Sequence, residues 1–157
     1  MPKKIAKRLT IKAKDLMTSP PLTIPPDGTV DEAAGLMWEK NVGSLIVVDK
    51  AGKMAGIITE KDIVFSVTKS LIGRGVPVSS VMSRTAVLGG PSEALATGIE
   101  KMRKVGVRHL PIVDKEGNPL GVLSMRDALD VSGPLMKFIS RSSGKKRAGH
   151  RSSNESS

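Results

Sequence analysis

Residues 41–62 read NVGSLIVVDKAGKMAGIITEKD, and residues 106–127 read GVRHLPIVDKEGNPLGVLSMRD. In each stretch two short runs rich in Val, Ile and Leu flank the sequence Asp-Lys-x-Gly. Runs of that length around a Gly-containing loop form a β-hairpin. The first hairpin is expected over Ser44–Val48 and Met54–Thr59, the second over His109–Val113 and Pro119–Ser124. The chain therefore states one structural unit twice.

Working outward, residues 15–64 align with 80–129 without a gap at an offset of 65, and eleven of the fifty aligned positions are identical. Met17 falls on Met82, Pro26 on Pro91, Met37 on Met102, Gly56 on Gly121 and Asp62 on Asp127. Upstream of the first hairpin, Val30, Ala33, Ala34 and Met37 have helical spacing, repeated by Leu95, Gly98, Ile99 and Met102. Thr29 and Glu32 form a capping box for the first of these helices. Ala94 and Thr97 stand at the matching positions, so the second helix is expected to start earlier, near Ser92. A short extended piece precedes each helix, at Leu22–Ile24 and at residues 86–88.

Each hairpin is followed by a helix. Ile63, Val64 and Val67 mark its apolar face in the first copy, and Ala128, Leu129 and Val131 do so in the second until Gly133-Pro134. The helical pattern resumes over Leu135–Ile139. Each copy is thus β-α-β-β-α, and the expected fold is α+β, two tandem motifs packed about a pseudo-twofold axis. Such half-sized copies are marginal alone and must bury their apolar faces against each other, which creates a seam suited to a ligand. Met17, Met37, Met82 and Met102 lie on apolar stripes and are expected in the core. The boundaries are a basic N-terminal arm at 1–11, the first motif at 12–70, a Gly/Pro linker at 71–77, the second motif at 78–136 and a Ser-rich basic tail at 137–157 expected to be disordered.

The 157 residues hold no cysteine and only two histidines, which excludes disulfides and thiolate metal sites. No apolar run is long enough to span a membrane, and the N-terminus lacks the apolar core of a signal peptide, so the expected location is cytoplasmic. The formal charge is +10. Residues 1–14 contribute +6 and 137–157 contribute +5, so 15–136 is close to neutral at −1. A neutral body argues against a broad nucleic-acid-binding face and leaves RNA contact to the two basic termini. With two Phe, one Trp and no Tyr, base-stacking platforms are nearly absent. There is no Ser/His/Asp order, metal-ligand spacing or phosphate-binding glycine loop, so the chain reads as a non-enzyme without a catalytic cofactor or metal.

The repeated unit resembles the CBS domain, named after cystathionine β-synthase. The resemblance rests on D-L-M-T, T-I-P-P-D-G-T-V-D-E-A, N-V-G-S-L-I-V-V-D and G-I-I-T-E-K-D in the first copy. S-V-M-S, P-S-E-A-L, G-V-R-H-L-P-I-V-D and G-V-L-S-M-R-D follow in the second. It covers roughly residues 12–133 and implies a stand-alone CBS pair of the Bateman type that forms a homodimer. It also implies an adenosine ligand, AMP, ADP or ATP and alternatively S-adenosylmethionine, bound between the motifs to regulate a partner protein.

The residue chemistry agrees with that implication. A Thr or Ser at a helix N-terminus stands beside free backbone N–H groups, and an Asp one turn on can accept both hydroxyls of a ribose. Thr59 and Asp62, or Ser124 and Asp127, are equally readable as an N-cap and a first-turn acid. The resemblance builds each cleft in trans. Cleft A would combine Thr59, Lys61 and Asp62 with Val87, Arg108, His109 and Pro111. Cleft B would combine Ser124, Arg126 and Asp127 with Thr23, Gly43, Ser44 and Ile46. Only cleft A has an Arg-His pair in its strand, so it is expected to be the stronger phosphate site. Cleft B is left weaker, empty or suited to a less charged adenosine compound. The alternative functions are an RNA- or ribosome-associated protein acting through basic termini, and a ligand-free dimerisation adaptor.

Overall fold

The computed structural model describes residues 11–84 and 87–130. The N-terminal arm up to residue 10, the basic tail and the helical continuation expected at 131–139 lie outside the described residues. The first motif contains α1 (Ala13–Leu16), β1 (Thr23–Ile24), α2 (Val30–Lys40), β2 (Ser44–Val48), β3 (Met54–Thr59) and α3 (Glu60–Thr68). After a 3-10 turn at Val78–Ser80 come α4 (Leu95–Val105), β4 (His109–Val113), β5 (Pro119–Ser124) and α5 over residues 125–130.

Both hairpins form where the two runs were expected, antiparallel and in matching register, with Ser44 opposite Thr59 and His109 opposite Ser124. Their loops explain the shared Asp-Lys-x-Gly. Asp49 Oδ1 accepts the N–H groups of Ala51 at 2.9 Å and Lys53 at 3.0 Å. Asp114 Oδ1 does the same for Glu116 at 2.9 Å and Asn118 at 2.8 Å. Gly52 and Gly117 take φ of 78° and 83°, a left-handed conformation that disfavours any side chain. The loop tips meet, because Lys53 Nζ donates to Asn118 Oδ1 at 2.8 Å, and these two residues occupy equivalent positions in the two copies.

α2 begins at the expected capping box, with Glu32 N donating to Thr29 Oγ1 at 3.1 Å and Thr29 N to Glu32 Oε2 at 3.2 Å. The earlier start expected for the second helix does not occur. α4 opens at Leu95, the counterpart of Val30, with Ala94 as an N-cap that supplies no side-chain bond. Its first free N–H is satisfied across the molecule instead, by Leu95 N donating to Ile11 O at 2.8 Å. Val30 N meets Val76 O at 2.9 Å in the same way. Of the extended piece expected at 86–88, residue 86 lies outside the described residues and 87–88 form no strand. In the second motif the parallel contact to the hairpin is a single bridge between Gly89 and Ile112, where β1 pairs with β2 in the first.

The two motifs interleave. Thr18, ahead of β1, crosses to the second motif and exchanges two hydrogen bonds with Val122 of β5, at 2.9 and 3.1 Å. Ser83 returns the exchange with Ile57 of β3, at 2.9 and 3.0 Å. These approaches explain the repeated glycine of the hairpin. A Cβ on Gly56 would sit 2.6 Å from Ser83 O, and one on Gly121 would sit 2.6 Å from Thr18 O. Each motif has its own core, around Leu45, Val47 and Ile58 in one and Leu110, Ile112 and Leu123 in the other. A third cluster of Ile46, Ile57 and Val122 fills the seam. Met37 and Met102 are buried, while Met17 and Met82 pack partly buried against the cores.

The apolar face expected on the final helix is only partly covered. Ile63 packs on the core, whereas Val64 and Val67 are 63% and 61% exposed, with Phe65 beside them at 49%. Ser66 is fully buried instead, its hydroxyl donating to Asp62 O at 2.8 Å. In the second motif Ala128 is buried and Leu129, the counterpart of Val64, is 50% exposed.

Candidate functional site

Two cavities open along the seam. Each lies where the start of one motif's last helix faces the first hairpin strand of the other. Each helix start is pinned to the loop ahead of its own motif's first hairpin strand, Glu60 N to Gly43 O at 3.1 Å and Met125 N to Arg108 O at 2.8 Å. The Thr/Ser-x-x-Asp turns at these helix starts line the two cavities, Thr59 and Asp62 in one and Ser124 and Asp127 in the other.

Cleft A has a volume of about 540 Å³ and brings together Thr59, Lys61, Asp62, Val87, Arg108 and His109. Ile57, Val105 and Val107 give it aliphatic walls. Pro111 does not reach it. Its side chain is fully buried, at the position equivalent to Ile46. Cleft B, about 410 Å³, brings together Gly43, Ser44, Ser124, Arg126 and Asp127. Ile46 is fully buried in the seam cluster and Thr23 is exposed on β1, so neither lines cleft B. Leu22 lines it instead, and the 65-residue offset that pairs Leu22 with Val87 carried the signal for it.

The capping role of the two turns is present in the geometry. Asp62 Oδ2 accepts from Thr59 N at 2.8 Å and from Thr59 Oγ1 at 3.3 Å. Asp62 Oδ1 has no hydrogen bond among the described residues. In the second motif Ser124 Oγ accepts from Asp127 N at 3.0 Å, leaving the Asp127 carboxylate facing cleft B.

Arg108 and His109 were expected in cleft A alone, yet both also line cleft B, as does Glu60. A Cβ on Gly43 would lie 2.8 Å from His109 Nε2 and 3.2 Å from Glu60 Oε1. Glycine there admits the imidazole over the floor of cleft B. Burial pushes the half-buried His109 below the usual histidine range, Arg108 pushes it further, and Glu60 and Asp127 pull the other way. A neutral imidazole offers one N–H donor and one acceptor nitrogen. Glu60 has no sequence signal, because its counterpart is Met125 and its place depends on packing across the seam. Among the described residues no group of three or more His, Asp or Glu is placed to hold a metal ion. Nor is any described helix long and apolar enough to cross a membrane.

The chemistry on offer is recognition. Hydroxyls, backbone N–H groups and carboxylates surround aliphatic walls, with Arg and Lys at hand for an anion. The family model described as CBS domain matches twice, over residues 13–69 and 78–133. The CBS domain-containing protein YhcV of Bacillus subtilis is 38% identical over 114 residues, covering 73% of this chain and 80% of that protein. A solved CBS domain pair of protein MJ0100, in complex with 5′-methylthioadenosine and S-adenosyl-L-methionine, superposes with a TM-score of 0.73 at 26% identity. That match covers 80% of this chain and 98% of the other. CBS domain protein PAE2072 from Pyrobaculum aerophilum, complexed with AMP, superposes with a TM-score of 0.69 at 25% identity over 74% of this chain and 89% of its own.

Proposed function

Because this chain belongs to the CBS domain family, with two copies of the motif, we propose that it is a regulatory module that binds adenosine ligands in the seam clefts. The observation that carries this reading is cleft A, which gathers the groups an adenylate needs from both motifs. Asp62 Oδ1 is open for a ribose hydroxyl, and Thr59 stands at the start of α3. Arg108 and Lys61 supply charge for a phosphate, and Ile57, Val87 and Val107 give the purine aliphatic surfaces on which to lie. The solved pairs bound to AMP and to S-adenosyl-L-methionine with 5′-methylthioadenosine support the ligand class.

Regulation then follows from architecture. A ligand that bridges the motifs favours one arrangement of the interleaved halves, and only a differential affinity for two arrangements can pass a signal to a partner. The chain itself is proposed to dimerise through the uncovered face of α3, where Val64, Phe65 and Val67 are exposed, together with Leu129 on α5.

Isothermal titration of AMP, ADP, ATP and S-adenosylmethionine tests the reading, with Asp62→Asn as the variant. Asparagine keeps an acceptor for Thr59 N and removes one carboxylate oxygen, so the fold survives. AMP affinity is expected to fall about tenfold, a loss of about 1.4 kcal/mol. Absence of heat with all four ligands overturns the function. Unchanged AMP affinity in the variant overturns the ribose contact at Asp62.

A further inference from the structure

On the reading that the clefts take adenosine ligands, we propose that the two clefts compete for one guanidinium, Arg108. They hold one phosphorylated adenosine at a time, and the remaining cleft takes an adenosine compound without phosphate, uncharged or cationic.

Arg108 lines both cavities. Its side chain is exposed and, among the described residues, makes no ion pair or hydrogen bond that would commit it to either one. The charges around it are unequal. In cleft A, Lys61 and Arg108 face Glu60 and Asp62. In cleft B, Arg108 and Arg126 face Glu60, Asp127 and Asp130.

A phosphate in cleft A recruits Arg108 and Lys61 together. Cleft B is then left with Arg126 alone against three carboxylates. Repulsion from those carboxylates disfavours a second phosphate dianion there. It leaves the ribose and purine contacts of Ser124, Asp127 and Leu22 untouched, and it attracts a sulfonium cation. The smaller volume of cleft B, about 410 against about 540 Å³, suits 5′-methylthioadenosine, which is smaller than AMP. The opposite assignment is weaker, because a phosphate in cleft B would meet one more carboxylate than in cleft A even with Arg108 in place.

The test is calorimetric titration of the full chain with AMP, then of the AMP-saturated chain with 5′-methylthioadenosine. One AMP per chain is expected, any second event being at least about tenfold weaker. The AMP-saturated chain is expected to bind 5′-methylthioadenosine within about twofold of its affinity for the free chain. In Arg108→Gln, AMP binding weakens about tenfold and the gap between its two events closes. Two AMP events of equal affinity in the wild type overturn the competition and leave the proposed function standing. So does loss of 5′-methylthioadenosine binding on AMP saturation, which would mean a single usable cleft. A gap unchanged in Arg108→Gln overturns the role of Arg108. No AMP binding at all overturns the proposed function and this inference together.

Discussion

Replacing Gly121 with alanine adds one methyl group at the point where the two motifs interleave. The new Cβ would lie 2.6 Å from Thr18 O and 2.9 Å from Met17 Sδ. The thioether can rotate away, but the carbonyl belongs to backbone held by two hydrogen bonds to Val122, at 2.9 and 3.1 Å. Restoring ordinary contact requires that segment to retreat by about 0.8 Å, which breaks or lengthens both bonds. Overpacking costs about 1–3 kcal/mol, and each weakened bond about 0.5–1.5 kcal/mol. The entropic gain of alanine over glycine, about 0.4–1 kcal/mol, offsets only part of this. The net destabilisation is about 3 kcal/mol, which lowers the urea midpoint by about 1–2 M at the slopes usual for a chain of this size. Gly35→Ala is the matched control, since a Cβ there meets nothing within 4 Å in the middle of α2. It is expected to stabilise by about 0.5–1 kcal/mol. A midpoint for Gly121→Ala equal to or above the wild type refutes the account of why the hairpin glycine recurs.

Two other outcomes follow from the clefts and the uncovered helix. His109 binds its proton less readily in the fold than the unfolded imidazole does, because burial outweighs the pull of Glu60 and Asp127 and Arg108 adds to it. Its contribution to stability is therefore complete above about pH 6.5 and is lost as pH falls below that value toward the lowered folded one. Urea midpoints measured between about pH 7.5 and 5.5 should fall less steeply in His109→Gln than in the wild type, and equal slopes would contradict the burial argument. Val64→Asp combined with Val67→Asp places charge on exposed positions and should leave the circular dichroism spectrum unchanged while halving the mass seen by light scattering. An unaltered mass would refute a dimer through this face.

The hairpins and α2 were legible because their signals are local: β-branched runs, an Asp-x-x-Gly loop and a capping box. The start of α4 was not, because no local cap sets it; the carbonyl of Ile11 does, from the far end of the chain. The partial covering of α3 has a similar cause. Spacing shows that Ile63, Val64 and Val67 form an apolar stripe, but not which part of that stripe another element covers. In the clefts, the Thr/Ser-x-x-Asp turns were readable from the repeat. The double exposure of Arg108 and His109 was hidden in the packing of Gly43, where the lack of a side chain in one motif makes room for a ring from the other.

The exchange of Thr18 and Ser83 between motifs also bears on ancestry and assembly. A single motif on its own would carry an unfilled edge on its hairpin and a lead-in segment with nowhere to pair. Two such chains could complete each other only as a domain-swapped dimer, each lending its first residues to its neighbour. The present chain has the form of such a dimer with both halves carried on one chain, residues 70–77 lying between the two matched motifs. Its halves cannot unfold one at a time, so the protein should melt as a single cooperative unit despite its two cores.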